Sequence, residues 1–260
     1  MKLIVAGATG FVGSEVVAQA IAHKSITSVI ALSRRPLSEP PFNHPKVKVV
    51  VLEDFEKGYT PEVIEQLKGA EGCCWALGAK STGGDKTRRV NLNYALSACN
   101  AFRTLPLSSP TAKFRLAYTS GIITERDQDK NLWIMSDMRK IGGEAETKLI
   151  EYAKEADAFE TFILRPGGIR PKEGKMLPDC IVGSFNVRVD EVAATLIDCA
   201  VRGDEGGRDT LENADIARRG RELLGRAAEN VEGGFTDLHL RLAFGGRLIS
   251  SGYFATYVRD

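Results

Sequence analysis

The chain has 260 residues, 43% of them hydrophobic and 27% charged, with a formal net charge of +1. That composition suits a globular domain with a full apolar core, and the length suits one domain or one domain with a small appendage. Near-neutral charge excludes a global pull toward nucleic acid or anionic lipid, and no apolar run reaches the roughly 20 residues of a membrane-spanning helix. The five cysteines (Cys73, Cys74, Cys99, Cys180, Cys199) form no C-x-x-C pair, and the three histidines (His23, His44, His239) lie far apart. No metal site is therefore expected. Apolar surroundings at Cys73 and Cys99 predict ordinary buried thiols and a reducing, cytoplasmic compartment.

Lys2-Leu3-Ile4-Val5-Ala6 predicts a first strand, which opens into Gly7-Ala8-Thr9-Gly10-Phe11-Val12-Gly13 and a helix over 11–23. No signal peptide is expected, since a cleavable leader would destroy this turn. Each glycine has a task in holding a dinucleotide. Gly7 turns the chain sharply, Gly10 clears the approach of a pyrophosphate to the backbone, and Gly13 lets the helix pack closely on the sheet. The helix N-terminus then offers free N–H groups and a positive dipole end to phosphate. The spacing G-x-x-G-x-x-G is weak alone; between a strand and an amphipathic helix it is specific.

A second strand over 28–32 ends in Ser33-Arg34-Arg35. An NAD-preferring site usually carries an acid here to bind the ribose 2′-OH. Arginine instead grips a 2′-phosphate with paired, charge-assisted bonds. The expected cofactor is NADP(H), with NAD(H) the disfavoured alternative. Further strands are predicted over 46–52, 72–77, 113–119 and 159–164, and helices over 60–68, 86–102, 138–155 and 189–201. Apolar strands without strict alternation, interleaved with helices, predict an α/β fold with a doubly wound parallel sheet of the Rossmann type. Residues 166–186 break the pattern with Pro166, Pro171, Pro178 and several glycines, and are expected to form part of a substrate pocket. Residues 1–224 form the expected dinucleotide-binding domain. Residues 225–260 are set apart as a C-terminal appendage, where alternating Leu238, Leu240 and Leu242 before Gly245-Gly246 suggest a β-hairpin. Arg218-Arg219-Gly220-Arg221 lies among four acids and reads as a solvated helix face, not a nucleic-acid patch.

These motifs resemble the atypical short-chain dehydrogenases/reductases, and within them the NmrA-like and Tat-interacting-protein-like branch with its related fungal NAD(P)-binding proteins. The resemblance covers residues 1–224. It rests on Val5 to Gly13, Ser33-Arg34-Arg35, Asp54-Phe55, Ala76-Leu77-Gly78, Thr119-Ser120, Gly143-Glu144-Ala145-Glu146, Leu164-Arg165-Pro166-Gly167, Val189-Asp190-Glu191-Val192-Ala193 and Leu211-Glu212-Asn213. It implies that Asp54 and Phe55 edge the adenine, and that Leu77 and Gly78 line the dinucleotide. Ser120 would be the catalytic hydroxyl that orients a carbonyl near the nicotinamide, and Arg165-Pro166-Gly167 would shape the pocket floor. The resemblance also allows a monomer or a homodimer, and peripheral association with a mitochondrial surface.

Catalytic members carry Tyr-x-x-x-Lys on the helix after the fifth strand, where lysine lowers the tyrosine pKa for proton transfer. Aligned on Gly143-Glu144, this chain has Met138 and Gly142 at those positions, and the motif occurs nowhere else. Met138, Gly142, Ala145, Leu149 and Ala153 form one helical stripe without a titratable group, expected to be packing surface or a wall against the nicotinamide. Asp137, Lys140, Tyr118 and Lys80 are the available substitutes for the missing acid. Thr119-Ser120-Gly121 lacks the first glycine of a hydrolase elbow. The expected activity is an NADP(H)-dependent oxidoreductase acting on a small carbonyl or enone. The alternatives are a non-catalytic NADP(H) sensor or regulatory interaction protein and, more weakly, an epimerase-like enzyme.

Overall fold

The computed structural model describes residues 1–79, 84–173 and 185–225. Nine strands lie among them: β1 (Lys2–Ala6), β2 (Ser28–Ser33), β3 (Val47–Val51), β4 (Ala70–Trp75), β5 (Phe114–Thr119), β6 (Phe159–Arg165), β7 (Gly168–Arg170), β8 (Asn186–Arg188) and β9 (Thr210–Glu212). Seven form one sheet in the order β3-β2-β1-β4-β5-β6-β9, and every pairing in it is parallel. The helices are α1 (Phe11–Ala22), α2 (Pro61–Leu67), α3 (Gly84–Arg88), α4 (Tyr94–Phe102), α5 (Ser136–Glu155), α6 (Val189–Arg202) and α7 (Asn213–Leu223). A π-turn, Arg89–Asn93, joins α3 to α4. This is the doubly wound α/β arrangement expected of the sequence.

The two-residue repeat of a strand decides which layer each side chain joins. In β1, Leu3 and Val5 pack into a core with α1, α6 and α7. Ile4 and Ala6 face the opposite core, with α2, α4 and α5. Both faces are covered, so the strand is apolar throughout. Local chemistry sets the helix ends. Thr60 caps α2 by accepting from the Val63 N–H at 3.5 Å, and Pro61 occupies the first helical position. Gly203, at φ +82°, closes α6 in a conformation that L side chains rarely adopt.

Several elements differ from the sequence expectation. The fourth strand spans 70–75, not 72–77. Ala76 still gives the ladder one bond, its N–H to the Ala6 carbonyl at 2.9 Å, and Leu77 beyond it is apolar because it lines a cleft. The helix expected over 86–102 is interrupted by the π-turn, and α5 begins at Ser136, two residues early. β9 and α7 add a seventh sheet strand and a further helix; a three-residue strand is too short to show periodicity. The irregular stretch after Pro166 contains β7 and begins β8, which pair in parallel. The expected hairpin of 225–260 lies outside the described residues beyond Gly225, as do Cys180 and His239.

Among the described residues no helix is long and apolar enough to cross a membrane. No group of three or more His, Cys, Asp or Glu there could hold a metal ion. Cys73, Cys74, Cys99 and Cys199 are free and buried, and burial pushes each thiol above its ordinary pKa. Thiolate is the reactive form. These four thiols should therefore resist alkylation at neutral pH in the native protein and react fully in denaturant, as read by mass mapping of iodoacetamide adducts. Rapid native labelling of Cys73 or Cys99 would contradict the burial.

Candidate dinucleotide site and adjoining cavity

β1 is the strand from which the sheet order runs both ways, with β2 on one side and β4 on the other. Such a switch point opens a crevice beyond the strand ends. Gly7 leaves β1 with φ +78°, and a Cβ there would lie 2.5 Å from the Ala76 carbonyl oxygen. A Cβ on Gly13 would lie 2.0 Å from the Gly7 carbonyl oxygen. Any side chain at either position would push apart the backbone segments that form the crevice. Gly10 donates its N–H to the Gly7 carbonyl at 2.9 Å and caps α1 without a side chain, and the first turn of α1 carries no acid. The helix N-terminus is thus left open toward the crevice, with Thr9 exposed, Phe11 half-buried and Val12 buried beside it. A pyrophosphate fits the bare wall and the uncapped N–H groups.

The ends of β2 and β3 adjoin, since Ser33 pairs with Val51. Ser33 is buried, and its Oγ accepts from the Arg35 N–H at 3.3 Å. Arg34 and Arg35 are exposed, and neither pairs with an acid among the described residues. Asp54 accepts from the Glu56 N–H at 2.7 Å and from Arg89 at 3.0 Å. The Glu56 N–H, with Arg89 adding to it, holds this carboxyl below its ordinary range. Phe55 is 2% exposed. Its ring stacks on Tyr94 at 5.8 Å and meets Trp75 edge-on at 6.2 Å. The Phe55 ring therefore belongs to the core, and Asp54 is the residue of the pair left at the surface.

Beyond β4, β5 and β6 lies a cavity of about 210 Å³. Leu77, Gly78 and Ser120 line it, as do Met138 and Gly142 from α5. The helical stripe on α5 therefore has two functions. Its first part walls the cavity, while Ala145 and Leu149 are fully buried. Asn91 and Thr124 also line the cavity, and the sequence reading missed both. Asn91 sits in the π-turn, a distortion that often accompanies functional sites. Its amide oxygen accepts from the Ala79 N–H at 2.9 Å, and its carbonyl accepts from Tyr118 Oη at 2.8 Å. Nothing in residue spacing marks that position. Thr124 packs where Gly142 lacks a side chain: a Cβ on Gly142 would lie 3.1 Å from Thr124 Cγ2.

Ser120 donates to Glu146 Oε1 at 2.5 Å and lies 3.2 Å from Thr124 Oγ1. Glu146 is fully buried. Arg126 donates to its Oε2 at 2.7 Å, and Arg165 Nε donates at 2.9 and 3.1 Å. Arg165 Nη2 also bonds Glu146, and Arg126 Nη2 reaches Thr210 Oγ1 at 2.8 Å. Burial works against the Arg165 charge, but the hydrogen bonds and negative charges of Glu146 and Glu212 together outweigh it and hold the guanidinium above its ordinary pKa. With its one proton committed to this carboxylate, Ser120 presents lone pairs to the cavity.

Among the described residues, none of the substitute acids is placed as a ready proton donor. Tyr118 lines the cavity, but its proton goes to Asn91, and burial and the Glu146 charge push its pKa up. Lys140 donates to the Gln128 carbonyl at 2.6 Å. Asp137 is exposed on the first turn of α5, and Lys80 lies outside the described residues.

Removing the buried charge is the sharpest probe of this cluster. Glu146→Gln would leave Arg126 without its carboxylate and Arg165 with only Glu212 at 3.3 Å, and should lower stability by about 3–5 kcal/mol, whereas Ser120→Ala should cost only about 1–3 kcal/mol. Urea denaturation followed through the buried Trp75 checks the order; equal losses would contradict the ion cluster.

Comparison with known proteins agrees with this geometry. A stretch of 78 residues, 30% of this chain, is 35% identical to leucinostatins biosynthesis cluster protein T of Purpureocillium lilacinum, and spans only 28% of that protein. Gre2 of Candida albicans, solved in complex with NADPH, is 17% identical, with a TM-score of 0.62 over 88% of this chain and 95% of that one. The enzyme WbmF of Bordetella bronchiseptica, solved with NAD+ and UDP, is 19% identical, with a TM-score of 0.58 over 96% of this chain and 84% of that one. At such identities the solved structures speak for the fold. A sequence family described as NAD(P)H-binding matches residues 7–202. That match takes in the glycine turn, β5 with Ser120 after it, and α6, and the chain belongs to the NAD(P)H-binding family, on a Rossmann-type fold shared with these solved structures.

Proposed function

We propose that this protein is an NADP(H)-dependent oxidoreductase that acts on a small carbonyl or enone in the cavity beyond β4, β5 and β6. The observation that carries this reading is the shared crevice. The open N-terminus of α1 and the cavity both lie beyond the carboxyl ends of the central strands, joined by Ala76 and Leu77. Gly7, Gly10 and Gly13 would hold the pyrophosphate, with Thr9, Phe11 and Val12 around it. Arg34 and Arg35, above Ser33, would hold a 2′-phosphate. Asp54 would edge the adenosine, and Leu77 and Gly78 would line the path toward the nicotinamide.

When bound, the nicotinamide supplies hydride chemistry; the protein supplies alignment and exclusion of water. Met138 and Gly142 contribute an apolar wall. Ser120 faces the cavity as a hydrogen-bond acceptor, and Thr124, whose proton completes the 3.2 Å bond to Ser120, is the neighbouring hydroxyl that would turn this proton to a bound carbonyl oxygen in exchange. The final proton then comes from water, since among the described residues no side chain around the cavity is poised to give it.

A second reading is favoured by the same two facts. A cavity whose α5 wall is Met138 and Gly142, and whose serine proton is committed to Glu146, also suits a protein that binds NADP(H) and senses it without turnover. Titration of NADPH and NADH, with absorbance at 340 nm across a carbonyl and enone panel, separates the readings. NADPH should bind more tightly than NADH. Arg34→Ala and Arg35→Ala together should weaken NADPH by about tenfold to a hundredfold, with NADH unchanged. An unaltered ratio would sink the 2′-phosphate assignment. Tight NADPH binding without oxidation across the panel would favour the sensor.

A further inference from the structure

β7 and β8 form a two-stranded parallel sheet beside the cavity, with Gly168 opposite Asn186, Ile169 opposite Val187 and Arg170 opposite Arg188. Alternation sorts these six residues into two faces. Val187 is buried in the main core and Ile169 packs against it. Gly168, Arg170, Asn186 and Arg188 share the other face. Two guanidiniums therefore stand in register, an arrangement that is unfavourable without counter-charge. Asp190 answers one of them, at 3.2 Å from Arg188 Nε. Arg170 pairs with no acid among the described residues. Two residues on from Arg170, Lys172 takes the acid Glu15 of α1 at 2.6 Å.

Two donors on this face are buried and have no partner: Arg170 Nε and Asn186 Nδ2. Buried polar groups are nearly always satisfied, so an orphaned donor calls for an acceptor that binds there. Both orphans are N–H groups, and one carries a positive charge. The pair stands directly beside the cavity: Gly168, Ile169 and Phe185 line it, and Arg170 and Asn186 are the next residues along the chain. The Asn186 amide oxygen lies only 2.5 Å from where a Gly168 Cβ would be, so the bare glycine leaves room for this amide.

We infer that Arg170 and Asn186 form an oxyanion subsite that takes a carboxylate or phosphate group at the rim of the cavity. The guanidinium fork and the amide N–H match the geometry of such an anion. The donor pair stands independently of the proposed function. Only the ownership of the anion rests on that reading: it belongs either to an acidic substrate or to a phosphate of the dinucleotide.

The test uses the full chain, inorganic phosphate and NADPH. Phosphate should raise the melting temperature of the wild type above that in chloride of equal ionic strength. Arg170→Ala should remove that response. Asn186→Asp, which supplies an acid to Arg170 from a diagonal position on the same face, should fold at least as well and also lose it. If the dinucleotide owns the subsite, saturating NADPH abolishes the phosphate response, and both variants weaken NADPH by about tenfold or more. If a substrate owns it, NADPH affinity is unchanged in both variants and the phosphate response persists with NADPH bound. A wild type that binds no dinucleotide would overturn the proposed function while leaving the phosphate comparison intact. An equal phosphate response in wild type and Arg170→Ala, or none in either, would overturn the subsite.

Discussion

Backbone meets backbone without an intervening side chain where β1 ends. Gly7 lies against the carbonyl of Ala76, and Gly13 lies against the carbonyl of Gly7. Three segments thereby converge at one point: the turn after β1, the start of α1 and the chain leaving β4. A single methyl group at either glycine would lie well inside van der Waals contact with a carbonyl, and the peptide backbone has little freedom to yield. The closeness brings the uncapped end of α1 over the crevice. It also brings the chain leaving β4 to the point where it can line both the dinucleotide path and the cavity.

A second constraint holds the far side of the cavity. Glu146 lies on α5, Ser120 follows β5, Arg165 ends β6, and Thr210 opens β9. One buried carboxylate thus ties a helix to three neighbouring strands. Its geometry also decides the chemistry of Ser120, because a hydroxyl has one proton to give and an ionised carboxylate accepts it. The group that resemblance marks as a donor to a carbonyl becomes an acceptor in this packing. Structural support and chemical role are here one hydrogen bond.

The first six strands along the chain and the parallel sheet they build were legible because periodicity and glycine spacing are local signals, whereas their order in the sheet was not. Errors occurred where a residue is apolar for another reason. Leu77 looks like strand and is cleft wall. The π-turn at Asn91 was not legible, since Arg89–Asn93 has an ordinary helical composition. β7, β8 and β9, at three residues each, carry no period at all; their pairing partners are distant in sequence or separated by an irregular stretch.

What the chain's own sequence determined is the glycine turn, the absence of an acid at Arg34-Arg35, and the pair Met138 and Gly142, without a titratable group, on one face of α5. These follow from residue identity at short range, where side-chain size and charge are sufficient. Tertiary structure alone decided where protons and charges go. It buried the Phe55 ring against Tyr94 and Trp75, turned the Ser120 hydroxyl toward Glu146, placed Thr124 over Gly142, and left Arg170 and Asn186 with unanswered donors. Hydrogen-bond direction and burial depend on neighbours tens of residues away, and no reading of spacing contains them.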